Sequence, residues 1–215
     1  MQNSIALFEG LPPESFERLM SRSVVRTFPK QTVVIHEGDD PTALYVILSG
    51  RVRAYLTDAG GKEFVLATHG EGEYFGELAL LDDEPRSASV ATLEACRLLV
   101  LSKSAFQESL AQNPDLALQL IKGLAQRVRR LTQSARSLAL KDVFGRITAL
   151  LQDLAVDSSG VLIVEERLTH QEIARRIGSS REMVSRIVKD LETGGYIEID
   201  ASHRLTLRRK LPSSW

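Results

Sequence analysis

The chain has 215 residues, 43% hydrophobic and 26% charged, with a formal net charge of −1, an ordinary globular composition with room for one large or two small domains. It holds no run of about 18 apolar residues to span a bilayer, and its opening MQNSIALFEG lacks the basic head and apolar core of a signal peptide. The single cysteine, Cys96, excludes an intrachain disulfide and cannot alone hold an iron–sulfur cluster or cysteine-based zinc, so a reducing, cytoplasmic setting is expected.

Divided along the chain, the charge is uneven. Residues 1–112 carry 10 Lys/Arg and 16 Asp/Glu, net −6; residues 113–141 carry 6 and 1, net +5; residues 142–215 carry 11 of each. From 24 to 101 short β-rich runs recur (TVVI, ALYVIL, RVRAYL, EFVLA, SASVAT, CRLLVL), separated by EGDDP, LSG, TDAGG, HGEGE and LDDEP. That alternation of strand and turn chemistry predicts an all-β sandwich or barrel. Within it, GELALLDDEPRSASV sets Gly76 and Glu77 at one end and Arg86 with Ser87 at the other. The stretch is either a turn on a solvated edge or a pocket with one acceptor for a hydroxyl and one cation for a phosphate.

At Asn113 the period changes. Asn113 suits a cap, Pro114 the first helical turn and Asp115 the positive helix end. Ala117, Ile121, Leu124, Val128, Leu131, Ala135 and Leu138 then follow at alternating steps of four and three. This a/d seam predicts a helix of roughly 25 residues, about 40 Å, that pairs with its own copy. Arg127, Arg129, Arg130 and Arg136 lie off the seam.

Residues 142–154 (DVFGRITALLQDL) read as a helix, DSSG as a turn and VLIVEERLT as a strand and its exit. Thr169 and Glu172 form a capping-box pattern opening HQEIARRI; Gly178 breaks it; Ser179 and Glu182 repeat the pattern before REMVSRIVKDLET; Gly194-Gly195 stops that helix; YIEID–ASH–RLTL reads as a hairpin. Two helices about a glycine turn plus a hairpin make a winged helix-turn-helix. On the second helix Met183, Val184, Ile187, Val188 and Leu191 are expected to be buried. Arg181, Glu182, Ser185, Arg186 and Lys189 fall mainly opposite. Arginine bonds guanine bidentately and a carboxylate accepts from cytosine, so these residues suit a major groove, with Ser179 and Ser180 at a phosphate. Thr169 and His170, opening the first helix, complete the expected DNA-facing set. The competing reading is a solvated face of ion pairs.

QEIARRIGSSREMVSRIVKDLETGGYI resembles the DNA-binding helices of the CRP/FNR family of bacterial transcription regulators, GELALLDDEPRSASV resembles that family's phosphate-binding cassette, and KDVFGRI is similar to the point where its dimer helix meets its DNA-binding domain. The resemblance covers essentially the whole chain, in the family's domain order. It implies an α+β chain. Residues 1–112 would form a cyclic-nucleotide-binding β-barrel of the jelly-roll (double-stranded β-helix) kind, 113–141 the dimerisation helix and hinge, and 142–215 the DNA-binding domain. It implies a ligand set of Gly76, Glu77, Leu78, Arg86 and Ser87, with Glu77 on the ribose 2′-hydroxyl and Arg86 and Ser87 on the cyclic phosphate. Glu77 and Arg86 are expected to pair with each other in the empty state.

The family's base-reading positions fall on Leu131 and Thr132. Leucine accepts no hydrogen bond. Thr132 still offers a hydroxyl, so cyclic AMP remains the first expected ligand, while cyclic di-GMP, another cyclic nucleotide, or ligand-independent DNA binding stay open. The oxygen-sensing branch needs a cysteine cluster that this chain lacks. His36 and His69 are read as surface turn residues, and His170 and His203 belong to the DNA-binding part, so no haem, metal or iron–sulfur cluster is expected. Expected partners are double-stranded DNA with palindromic TGTGA-like half-sites, a cyclic nucleotide and a second copy of the chain. RNA polymerase, touched at the turn 157–160, joins them if the protein activates; no membrane partner is expected. An enzyme built on the barrel would need clustered His and carboxylate groups, whereas the four histidines are scattered.

Overall fold

Strand-forming runs rich in Val, Leu and Tyr, separated by glycine and aspartate turns, close into two antiparallel sheets in the computed structural model, which describes residues 5–200 and 204–212. The chain divides into two compact units, residues 1–130 and 131–215. In the first, β1 (Ser23–Phe28), β8 (Cys96–Ser102), β3 (Ala43–Ser49) and β6 (Tyr74–Phe75) form one four-stranded sheet in that order. The other runs β2 (Val33–Ile35), β7 (Ser89–Thr92), β4 (Val52–Thr57), β5 (Glu63–His69). Strand neighbours distant in sequence mark the crossovers of the expected jelly roll.

Side-chain alternation explains how the first sheet is covered twice. Ile47, Leu98, Phe75 and Cys96 enter a core shared with Ile35, Val52 and Val90 of the other sheet. Leu44, Val46, Leu99 and Leu101, one residue out of phase, bury against helices. Those helices are α1 (Pro13–Ser21), α3 (Lys103–Gln112) and the start of α4 (Pro114–Leu140). They contribute Leu19, Phe106, Leu116 and Leu120 to that second cluster. A short helix, α2 (Leu78–Leu81), follows β6. The strand-only reading of the first segment missed α1 and α3. Asn113 stands between α3 and α4: its side-chain Nδ2 donates to the Ser109 carbonyl at 2.9 Å, while its main-chain carbonyl accepts from the Leu116 amide.

The second unit is built as the sequence predicts, with three local corrections. Asp142 caps α5 (Val143–Leu154), accepting from the Gly145 amide at 2.7 Å. The turn after α5 belongs to a hairpin, β9 (Ala155–Ser158) with β10 (Val161–Val164), inside a four-stranded sheet ordered β11-β12-β10-β9. The final hairpin pairs β11 (Ile197–Ile199) with β12 (Leu205–Leu207). Thr169 and Glu172 make the reciprocal capping box of α6 (His170–Ile177), and Gly178 takes the left-handed conformation, φ 67°. The next cap is Ser180, not Ser179. The Ser179 amide closes the end of α6 by donating to the Ala174 carbonyl. Extended Ser180 then accepts from the Met183 amide to open α7 (Arg181–Thr193). Val184, Ile187, Val188 and Leu191 enter the core with Phe144, Ile147 and Ile173. Met183, expected among them, is exposed. At 100° per residue it stands on the flank of the buried arc, nearer Asp190 than Ile187.

Candidate ligand site and nucleic-acid interface

The stretch 76–87 leaves β6 through Gly76, whose φ of 83° belongs to the left-handed region. A Cβ there would stand 2.8 Å from Arg86 Nη1 and 3.2 Å from Ile35 Cδ1, so a side chain would displace the guanidinium. Arg86 is 5% exposed. Its Nη1 donates to the Gly76 carbonyl at 2.6 Å and its Nη2 to the Ala43 carbonyl at 2.8 Å. Its main chain is pinned as well, donating to the Asp39 carbonyl and accepting from the Gly38 amide. No carboxylate among the described residues lies within ion-pair distance of it. Burial lowers its pKa, and its electrostatic interactions with Tyr45, Glu77 and Asp39 pull the other way. Carbonyls satisfy two donors but leave the charge uncancelled, so the site keeps a fixed cation with donors to spare for a compact anion.

Glu77, 1% exposed, does not pair with Arg86 as expected. Its Oε1 accepts from Arg127 Nη1, and its Oε2 has no partner among the described residues. Arg127 also donates to the Tyr74 carbonyl, with its guanidinium carbon 4.7 Å from the centre of the Tyr74 ring. The reason lies in α4. Leu116, Leu120 and the half-buried Leu124 form a stripe against the barrel, and Arg127 continues it by helical spacing. The sequence reading placed Arg127 only by what it was not, off the a/d seam, and so missed it. The signal available was its i+3 and i+7 spacing from Leu124 and Leu120.

Leu78 and Ser87, next in sequence to Glu77 and Arg86, are both exposed. Leu131 and Thr132 belong to the second unit and are exposed. His69 is corrected: it ends β5 opposite Val52 and is buried, with Nδ1 3.6 Å from Glu73 Oε1. The strand continues one residue into what reads as a turn, and its pairing register turns the imidazole inward with Val52. His36 is exposed. His203 lies outside the described residues.

On the seam of α4, Ile121 and Val128 are about three-fifths exposed, and Leu131, Ala135 and Leu138 are exposed too. Ala117 is half-buried, and Leu124 packs on the barrel core.

In the second unit, the face of α7 opposite its buried arc carries Glu182, Arg186 and Lys189, and Arg181 stands at the edge of that arc in the first turn, all exposed, with Ser185 half-buried among them. Ser180 and Thr169 are exposed at the two caps, while Ser179 and His170 are half-buried. Arg176 makes two hydrogen bonds to Glu166, at 2.9 and 2.6 Å, tying α6 to the segment after β10. The left-handed Gly178, the two caps and this ion pair fix α6 and α7 about a tight turn. α7 thereby presents basic and acidic side chains from its first turns.

Residues 25–113 match the cyclic nucleotide-binding domain family and residues 145–211 the Crp-like helix-turn-helix domain family. The chain is 32% identical over 198 residues to a CRP-like cAMP-activated global transcriptional regulator of Mycobacterium tuberculosis, covering 90% of this chain and 88% of that one. It is 34% identical over 193 residues to a cyclic AMP receptor protein of Thermus thermophilus, with the same coverages. Among solved structures, the c-di-GMP-responsive global regulator CLP of Xanthomonas campestris superposes with a TM-score of 0.80 at 29% identity, over 91% of this chain and 99% of that one.

Proposed function

The chain belongs to the CRP family of cyclic-nucleotide-responsive transcription regulators, and from that premise we propose that it is a homodimer whose binding to palindromic, TGTGA-like DNA half-sites is gated by cyclic AMP. The observation that carries the ligand reading is the pair of buried, unlike charges at 76–87. Arg86 is held by two carbonyls with no carboxylate at ion-pair distance among the described residues, and Glu77 has one carboxylate oxygen without a partner. A cyclic nucleotide carries the complement: a monoanionic phosphodiester for Arg86, with Ser87 beside it, and a 2′-hydroxyl that can donate to Glu77. Gly76 lets the main chain approach closely, and Leu78 follows. Arg181, Glu182, Ser185, Arg186 and Lys189 are proposed to enter the major groove, with Ser179, Ser180, Thr169 and His170 at the phosphates. The divisions 1–112, 113–141 and 142–215 would then be sensor, dimer helix with hinge, and DNA reader. Ligand binding shifts the population toward the DNA-competent dimer. Residues 157–160, the end of β9 and the turn to β10, are the proposed polymerase contact if the protein activates.

A second reading has a specific basis. Leu131 supplies no acceptor and Thr132 supplies one hydroxyl, so the base is the part of cyclic AMP that this sequence reads least well. The structurally similar CLP is a c-di-GMP-responsive regulator. Calorimetric titration of nucleotide-stripped protein with cyclic AMP, cyclic GMP and cyclic di-GMP separates the two. Cyclic AMP binding at micromolar strength or better, lost in Arg86→Ala together with the ligand dependence of DNA binding, supports the first. Binding of cyclic di-GMP alone supports the second. DNA binding that ignores all three nucleotides overturns both.

A further inference from the structure

Gly123 is the one glycine inside the 27 residues of α4. Glycine weakens a helix relative to every residue except proline, and its neighbours Leu120, Leu124, Ala125 and Gln126 are good helix formers. A Cβ at 123 would overlap the hydroxyl oxygen of Tyr74 and come within 3.3 Å of its Cζ. Tyr74, in β6, is buried, and its hydroxyl has no hydrogen-bond partner among the described residues. One turn further along the helix, Arg127 lies over the same ring and donates to the Tyr74 carbonyl and to Glu77. Two successive turns of α4 therefore hold a single barrel side chain, one through a notch and the next through a cation. A helix-interior glycine and a buried unpartnered hydroxyl are each unfavourable alone. In this fold the first is required by the second.

We infer that Tyr74 is a positioning residue. Its phenol, seated in the Gly123 notch, sets the register of α4 on the barrel and with it the reach of Arg127 to Glu77. Nucleotide affinity is thereby tuned by a side chain that does not itself contact the nucleotide, an inference that rests on the cyclic-nucleotide reading of Glu77 and Arg86. A helix pushed outward or along its axis at 123 carries Arg127 with it, because residues 123 and 127 share one face.

The test is a double-mutant cycle in the full-length protein: Gly123→Ala, Tyr74→Phe and the pair, each measured by calorimetric titration with cyclic AMP and by thermal unfolding without nucleotide. Gly123→Ala improves helix propensity yet is expected to weaken cyclic AMP binding roughly tenfold or more and to lower the melting temperature. In the Tyr74→Phe background, where the clashing oxygen is gone, the same alanine is expected to cost about threefold or less and to leave melting nearly unshifted. Gly123→Ala protein that binds like the parent overturns the inference, as does a double variant that recovers nothing. Recovery of melting without recovery of affinity reduces Tyr74 to a packing residue and overturns the positioning role. If the parent binds no cyclic nucleotide, the functional reading fails on its own. The melting cycle then decides the register claim, with non-additive shifts upholding it and additive shifts overturning it.

Discussion

The carboxylate of Glu77 has almost no access to water, and the side chain that meets its charge is the Arg127 guanidinium. Arg127→Met leaves that charge buried and unpaired, and breaking such a pair costs roughly 3–5 kcal/mol. Urea unfolding of the nucleotide-free protein should show a loss of that order. Adding Glu77→Gln to the same chain should recover part of it, because an amide buried without a partner costs far less than a carboxylate. An Arg127→Met protein as stable as the parent would mean that the carboxylate finds another cation. Arg86 poses a different requirement. Its two nitrogens bridge carbonyls 33 residues apart in sequence, Ala43 and Gly76, a fork that a single ammonium does not reproduce. Arg86→Lys should therefore lose most cyclic nucleotide affinity despite keeping the charge, as read by calorimetry; undiminished affinity would reduce Arg86 to a point charge. Of this constellation, Gly76, Glu77 and Arg86 were legible because eleven consecutive residues carry them. Arg127 was not, since its partner lies 50 residues earlier and only the seating of α4 joins them.

The helix-turn-helix was legible almost residue by residue, because its signals are local. A capping box, a left-handed glycine and an apolar 3.6-residue period each act within one turn of chain. Removing the Thr169 hydroxyl should cost about 1 kcal/mol, measured by chemical denaturation of Thr169→Ala. Met183 tests the corrected burial of α7. Its truncation to alanine should change stability by less than about 1 kcal/mol, against roughly 2–5 kcal/mol for the buried Ile187; equal losses would return Met183 to the core. What sequence hid were elements whose boundaries lack punctuation. Strand β8 runs directly into α3, capped only by Ser102, which accepts from the Ala105 amide. Strand β9 begins where α5 ends, is four residues long and largely exposed, and exists through its pairing with β10. Helix α1 does carry a signal, Pro13 at its start and Phe16, Leu19 and Met20 at helical spacing, which the run of strands behind it obscured.

For the whole chain, the apolar surface of α4 exceeds what one copy can bury. Leu116 and Leu120 are covered by the barrel, whereas Ile121, Val128, Leu131 and Leu138 remain between about two-fifths and three-fifths exposed along a second stripe. A line of large aliphatic residues at heptad spacing in water favours association, and an a/d seam is self-complementary: each residue meets its own copy across a two-fold axis. Charge placed on that line would oppose itself in the proposed dimer. Val128→Glu with Leu131→Glu is therefore expected to sediment at the single-chain mass of 23.8 kDa, with the parent at twice that mass. The same variant should lose roughly 10²-fold or more in affinity for a palindromic site, because the second half-site no longer binds as an intramolecular event, and its affinity for an isolated half-site should stay close to the parent's. A variant that still sediments as a dimer would move the interface off this stripe. A monomer that holds the palindrome as tightly as the parent would separate pairing from DNA recognition and overturn the proposed dimeric reading.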